Sequence, residues 1–280
     1  LKKSGSQVTD SQLSHDTPGR IALGIEYDGS CFNGWQAQKS PTAVTVQETL
    51  EKVLSEVADH QVSLVCAGRT DAGVHATAQV VHFDSLNFRL DRAWTRGANS
   101  MLPSTIAIRW SKGMSNEFHA RFSATARKYR YVIYNKPVKP AILSNLVTHH
   151  FRKLDVDLMH QAAQQLLGKN DFTSFRGAGC QANTPIRNII SLSVTRQRDF
   201  VIIEVEANAF LLHMVRNIVG VLFEIGEGIK PPDWAGEVLA YQDRKLAGVT
   251  ALPDGLYLVN VSYPKEFDLP YSEPGPAFLV

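Results

Sequence analysis

The stretch Leu64–Phe83, LVCAGRTDAGVHATAQVVHF, crowds an arginine, an aspartate and a histidine between two apolar runs. An aspartate directly after a buried strand can simply end it, its carboxylate accepting from the next backbone amides. Arg69, two positions ahead of Asp71, opens a second use. On an extended backbone such residues project to one side, and a neighbouring guanidinium lowers a carboxylate pKa by roughly one to three units. That pairing predicts a permanently ionised Asp71, suited to act as nucleophile or base rather than as acid. Gly68 and Gly73 flank the charges and let a bulky ligand come close to the backbone. His75, set among small apolar residues, reads as a structural histidine. Asp71-Ala72-Gly73 also resembles half of an aspartic protease site. Such a site needs a second carboxylate to share one proton, however, and no later loop repeats the pattern.

The elements that must hold these residues follow from hydrophobic period. After a polar stretch at 1–19, read as a flexible tail, residues 20–29 alternate as a strand and end in the turn signal Asp28-Gly29. The tail has no secretory apolar core, and its start at Leu1 reads as an initiator already removed. Thr45 and Glu48 form a capping box ahead of a helical stripe at Val46, Leu50, Val53, Leu54 and Val57. Strands are expected at 62–70 and 76–85, a helix at 91–102 and a strand at 105–113. This order is the ferredoxin-like split βαβ. A second pass is expected from 124 to 263, with a strand at 124–135, a helix at 155–168, strands at 188–197 and 199–210, helices at 211–228 and 231–242, and a closing strand at 255–263. The expected fold class is therefore α+β: two ferredoxin-like (RRM-like) halves, 20–115 and 116–265, with adjoining antiparallel or mixed sheets and a cleft between them. A C-terminal tail at 266–280 follows.

Composition narrows the function classes. The chain of 280 residues is 44% hydrophobic and 20% charged, and nothing in it approaches the eighteen or so consecutive apolar residues of a membrane span. Cys31, Cys66 and Cys180 lie far apart and in no metal-ligand spacing, which suggests neither disulfides nor zinc and fits a reducing cytoplasm. The net charge of +2 is unremarkable, but its distribution is not. Between Phe118 and Leu154 stand eight basic residues and no acidic one, interleaved with Tyr129, Tyr131 and Tyr134. Cationic surface with aromatic faces suits RNA; the alternative is a solvated strand face.

The motifs GRTDAGVHA, YDGSCFNGWQ, FHARFSATARKYRY, DFTSFR, HMVRNIVG and GLYLV, in this order from about Arg20 to the C-terminal GPAFL, closely resemble the TruA family of tRNA pseudouridine synthases. The resemblance implies a cofactor-free, metal-free isomerisation of uridine to pseudouridine in the anticodon stem-loop (tRNA positions 38–40). By motif position, Asp71 is the catalytic aspartate, which either attacks the substrate covalently or removes the ribose 2′ proton. Tyr129 stacks on the target uracil, Arg216 pairs with the catalytic carboxylate, Leu256 lines the uracil pocket and Arg69 helps hold the flipped nucleotide. Arg127 and Lys128 of the basic strand, with Arg176 in the glycine-rich loop after DFTSFR, are the expected RNA contacts. Gly220 is expected to let the Arg216 helix approach the sheet. Ala37 stands where relatives often carry an arginine, with Lys39 as a possible replacement, and Cys180 shows no mark of a reactive thiolate in the sequence. The resemblance implies tRNA as partner and a homodimer, with no membrane. The rival readings are a catalytically idle RNA-binding protein and a synthase acting on another RNA.

Overall fold

The closing strand, at the edge of its own half, also pairs with the first half and so is the seam of one continuous sheet. The computed structural model describes residues 19–38, 43–271 and 273–279; of the expected tail at 1–19, residues 1–18 lie outside them, as does Lys39, while Gly19 opens a strand. Within the described residues the first half runs β1 (Gly19–Tyr27), α1 (Val46–Ala58), β2 (Val65–Cys66), β3 (His75–Ser85) and β4 (Ile106–Met114). The second runs β5 (Ala126–Tyr134), β6 (Thr148–His149), α2 (Val156–Gln164), β7 (Gly168–Asp171), β8 (Ile186–Gln197), β9 (Phe200–Ala207), α3 (Met214–Gly226), α4 (Trp234–Tyr241) and β10 (Leu256–Ser262). The sheet order is β4-β1-β3-β10-β5-β9-β8-β7, with β2 on β3 and β6 on β5. This is an α+β molecule with one large mixed sheet, where two adjoining sheets were expected.

Local signals explain most element starts. Thr45 caps α1, accepting from Glu48 N at 3.3 Å, and Leu50 and Leu54 of that helix are fully buried. Asp155 caps α2, which ends before Gly168 because that glycine, at φ +85°, turns the chain into the unexpected strand β7. The expected helix at 91–102 contains a π-helical turn, Ala93–Gly97. The expected strand at 62–70 pairs only over Val65–Cys66, so Arg69 and Asp71 sit in a loop.

The helices of both halves share one sheet face and one core: Leu54 of α1, Met159 of α2, Ile218 of α3 and Val238 of α4 join Tyr131 and Leu258 in a single buried cluster. On the other face Val132, Tyr257 and Val259 are covered by Leu279 and Phe278. The C-terminal segment is thus packed, and Arg130 Nη1 donates to Gly275 O at 2.7 Å.

Candidate active site at the junction of the two halves

One edge of β3 is shared. β2 takes it at Val81–His82, β10 takes it in parallel at His75–Ala76, and the loop carrying Asp71 emerges between them. Backbone bonds shape that loop: Ala67 N donates to Val80 O at 2.8 Å and Val74 N to Asp71 O at 3.1 Å. The buried Gln79 side chain donates to Gly68 O at 2.6 Å. The loop after β1 supports it from behind, since Trp35 N donates to Thr70 O at 3.0 Å. Gly34, at φ +89°, lies so close that a Cβ there would stand 2.8 Å from that same Thr70 oxygen. The motifs YDGSCFNGWQ and GRTDAGVHA are therefore two halves of one support.

His75 belongs to this scaffold. It is buried, its Nδ1 accepts from Gly29 N at 3.1 Å, its Nε2 meets Asp254 O at 3.0 Å, and its ring stacks on Tyr257 at 4.6 Å. Burial, against the opposing Asp28 charge, pushes its pKa down, so the ring is a neutral tether.

The second half supplies the partners of Asp71. α3 is apolar almost all round and buried, as its run of Val, Ile and Leu dictates, and its first turn carries Arg216. Arg216 Nη1 lies 3.4 Å from Asp71 Oδ2, while Arg216 Nε donates to Ala251 O at 2.7 Å and Ala251 N returns a bond to Arg216 O. His213, just before α3, places Nε2 at 3.5 Å from the same carboxylate oxygen. It does so from a left-handed backbone at φ 58°, with its ring against Gly177, where a Cβ would stand 2.9 Å from Nδ1. Gly220 faces the backbone before Ala251 rather than the sheet: a Cβ there would meet Val249 O at 1.8 Å. Asn217, fully buried, donates to Phe175 O and accepts from Arg244 and Thr250, which locks the DFTSFR segment to α3.

The floor comes from β5 and β10. Directly paired residues of an antiparallel ladder share a face, so Tyr129 opposite Leu258 and Tyr131 opposite Leu256 all point toward α3. Tyr129 is buried, edge-on to Phe210 at 5.0 Å, and its hydroxyl points at Gly68, where a Cβ would stand 3.8 Å away. Burial, reinforced by the Asp71 charge, raises its phenol far above the ordinary range. Leu256 is buried at the start of β10.

Arg69 is exposed and, among the described residues, forms no ion pair with Asp71; Arg216 is the cation there. The other expected cations have these partners within the chain. Arg127 has all five guanidinium donors on backbone carbonyls: Ala67 (twice), Ala124, Arg121 and Asn208. Lys128 lies on the opposite sheet face from Tyr129, paired with Glu206 at 3.3 Å as Arg130 is with Glu204 at 2.8 Å. Arg176 folds onto its own loop, donating to Cys180 O at 2.7 Å and Ala182 O at 2.9 Å, so the glycine-rich segment is pinned. Cys180 is also not as inert as its sequence context suggests. Burial pushes its thiol up, but hydrogen bonds from Leu212 and Ala182 amides and from Arg176 outweigh this and leave it lowered. Ala37 N donates to Gln47 Oε1 at 3.1 Å, a backbone use that needs no arginine.

The sequence reading left His213 and Asn217 without roles. Their signal was present: polar side chains opening an otherwise apolar helix need partners. No group of three or more His, Cys, Asp or Glu among the described residues could hold a metal ion, and no helix there is long and apolar enough to cross a membrane.

Comparison with known proteins shows the family of the chain. The chain is 57% identical over 260 residues to a protein described as tRNA pseudouridine synthase A from Aeromonas hydrophila, covering 93% of this chain and 96% of that one. It is 56% identical to the protein of that description from Salmonella arizonae, covering 93% and 96%, and 56% identical to that from Coxiella burnetii, covering 93% and 99%. Among solved structures, an H/ACA RNP bound to a substrate RNA containing 2′-deoxyuridine aligns at a TM-score of 0.35 and 9% identity, covering 72% of this chain and 44% of that one, a likeness too slight to argue from. The family model described as tRNA pseudouridine synthase matches residues 24–123 and 162–264, which contain Asp71, His213, Arg216 and Leu256. With a carboxylate held by an arginine over a buried tyrosine and leucine, and with matches of this length, the chain belongs to the tRNA pseudouridine synthase family and is an RNA pseudouridine synthase.

Proposed function

We propose that this enzyme isomerises uridine to pseudouridine in the anticodon stem-loop of tRNA, acting in the cytoplasm as a homodimer with one tRNA across both subunits. The observation that carries the assignment of roles is the Asp71 carboxylate, one-quarter exposed, held by Arg216 from the other half of the chain. In the reaction the N1–C1′ bond breaks, the uracil turns, C5 bonds to C1′, and the C5 proton leaves while N1 gains one. The product is an isomer, so no oxidant, reductant or cofactor is needed. Asp71 supplies the electron pair, toward the substrate carbon or toward the ribose 2′ proton. Arg216 keeps that carboxylate aimed, with its Nη1 at 3.4 Å from Oδ2. The raised phenol of Tyr129 supports stacking and hydrogen bonding to the uracil rather than service as a free phenolate. Leu256 closes the apolar side of the pocket, and Arg69, exposed beside Asp71, meets the backbone of the flipped nucleotide.

The strand order supports reading residues 20–115 and 116–265 as two ferredoxin-like units. Each has its first and third strands adjacent at the centre, β1 and β3 in one, β5 and β9 in the other, with β4 and β10 as their outer fourth strands. The homodimer rests on charge. Much of the basic segment is neutralised internally, Lys136 by Asp199 and Arg152 by Glu227 as well as Lys128 and Arg130, so one subunit presents a small cationic surface for a large polyanion. Free thiols at Cys31, Cys66 and Cys180 suit a reducing compartment.

Pseudouridine mapping on bulk tRNA with and without the protein tests the substrate. New sites confined to the anticodon arm are expected; modification only in other arms, or only in other RNAs, overturns the assignment. Light scattering across a dilution series tests the dimer, which a fully active monomer would sink.

A further inference from the structure

The segment 115–125 between β4 and β5 has no regular structure, yet side chains from three distant places, with Arg127 just after it, hold its backbone. Arg20 Nη1 donates to Asn116 O and Phe118 O, each at 2.8 Å. Ala120 N donates to His82 Nδ1 at 3.1 Å, and Tyr263 Oη donates to Ala120 O at 2.6 Å. Arg127 donates to Arg121 O at 2.7 Å and to Ala124 O at 3.1 Å. Inside the loop, His119 Nδ1 accepts from both Arg121 N and Phe122 N, at 3.2 and 3.1 Å.

This framework presents an aromatic ring to solvent. Phe122 is 77% exposed; its ring lies nearly parallel to His119 at 4.3 Å, and the Arg121 guanidinium carbon stands 5.6 Å from its centroid. An exposed phenylalanine contributes little to folding, so holding it this firmly has no structural return. One group ties it to the candidate site: the Arg127 Nη2 that binds Arg121 O also binds Ala67 O at 2.9 Å, at the start of the loop that reaches Asp71. The backbone of Arg121, and with it the adjoining Phe122, is therefore anchored to the base of the loop that carries Asp71.

We propose that Phe122, backed by His119 and flanked by Arg121, is a stacking platform for an unpaired nucleobase of the RNA next to the uridine that enters the Asp71 pocket. The inference rests on the RNA substrate proposed above. An aromatic face beside a guanidinium is the chemistry that takes a base by its π-face, without reading its sequence, and its phosphate by charge. A nucleotide neighbouring a flipped uridine has lost a stacking partner, and the platform replaces it.

The test uses the full-length protein, an anticodon stem-loop RNA and the same RNA with 2-aminopurine beside the target uridine. Phe122→Ala is expected to weaken binding of the stem-loop roughly 5- to 100-fold. The loss should fall on KM rather than kcat, and the 2-aminopurine quenching seen with the wild type should disappear. Phe122→Trp is expected to restore both. Arg121→Gln should lower the salt dependence of binding by about one unit of slope, while Phe122→Ala leaves the slope unchanged. Phe122→Ala that binds within twofold of wild type, or that changes the oligomeric state in light scattering instead, overturns the platform, the latter in favour of a second copy as its occupant. If the wild type forms pseudouridine in tRNA and Phe122→Ala matches it, the platform alone falls; if the wild type forms none in tRNA, the substrate assignment falls with it.

Discussion

Arg216 and Asp71 stand 145 positions apart in the chain, yet the arginine Nη1 lies 3.4 Å from the aspartate Oδ2. The pair is the point where the two halves meet chemically. The same guanidinium is anchored through Nε to Ala251 O, and 251 leads through the Pro253-Asp254-Gly255 turn into β10, the strand that joins the halves in the sheet. The carboxylate, the cation and the seam are therefore one mechanical unit.

Asp71→Asn removes the nucleophilic, basic carboxylate while keeping size and shape. Tritium release from RNA labelled at uracil C5 is expected to fall at least about a thousandfold. Circular dichroism should be unchanged, and substantial turnover in the folded variant would refute the role of Asp71. Arg216→Met should reduce kcat while leaving RNA affinity within about threefold, since its partners are Asp71 and Ala251 rather than the RNA.

Cations differ in what they face. Lys128→Gln is expected to leave the salt dependence of RNA binding unchanged, because Glu206 already pairs with it on the sheet face away from Asp71. Arg69→Gln, at an exposed cation beside the candidate site, should reduce the slope by about one unit. The reverse pattern in a filter-binding salt series would move the RNA path to the other face.

His213 holds a left-handed backbone at φ 58°, which costs a non-glycine residue on the order of 1 kcal/mol. His213→Gly relieves that strain but gives up the ring beside Asp71. Stability is expected to stay within about 1 kcal/mol of wild type by urea unfolding while turnover drops at least tenfold. Full turnover would show that the ring serves packing only.

His82 is buried and accepts from Ala120 N. Burial, with the Arg20 and His119 charges adding and Asp84 opposing, lowers its pKa from 6.5 to about 4. The unfolded chain takes up this proton near pH 6.5, whereas the fold refuses it until about pH 4. The histidine's contribution is thus complete above pH 6.5 and is lost as pH falls toward 4. Melting temperatures of wild type and His82→Gln across this range should converge at low pH; parallel curves would refute the assignment.

Much of this protein is legible in local sequence because local physics determines it. The Thr45 cap and the apolar stripe of α1 are set within a few residues, as are the turn at Asp28-Gly29 and the buried character of α3. Asp71, Tyr129, Arg216 and Leu256 stand in motifs that could be named without coordinates. Tertiary structure decided which charges meet. Arg69 and Asp71 are neighbours in sequence, but β2 ends at Cys66, and once the backbone leaves the extended state, alternation no longer says where a side chain points. Lys128 and Arg130 looked free because their partners, Glu206 and Glu204, arrive on a strand more than seventy residues later. The parallel pairing of β10 with β3, which merges two expected sheets into one, depends on contacts between residues 75–76 and 257–258. Pairings at such separations leave no periodicity in the chain, since they arise only when distant edges close on one another.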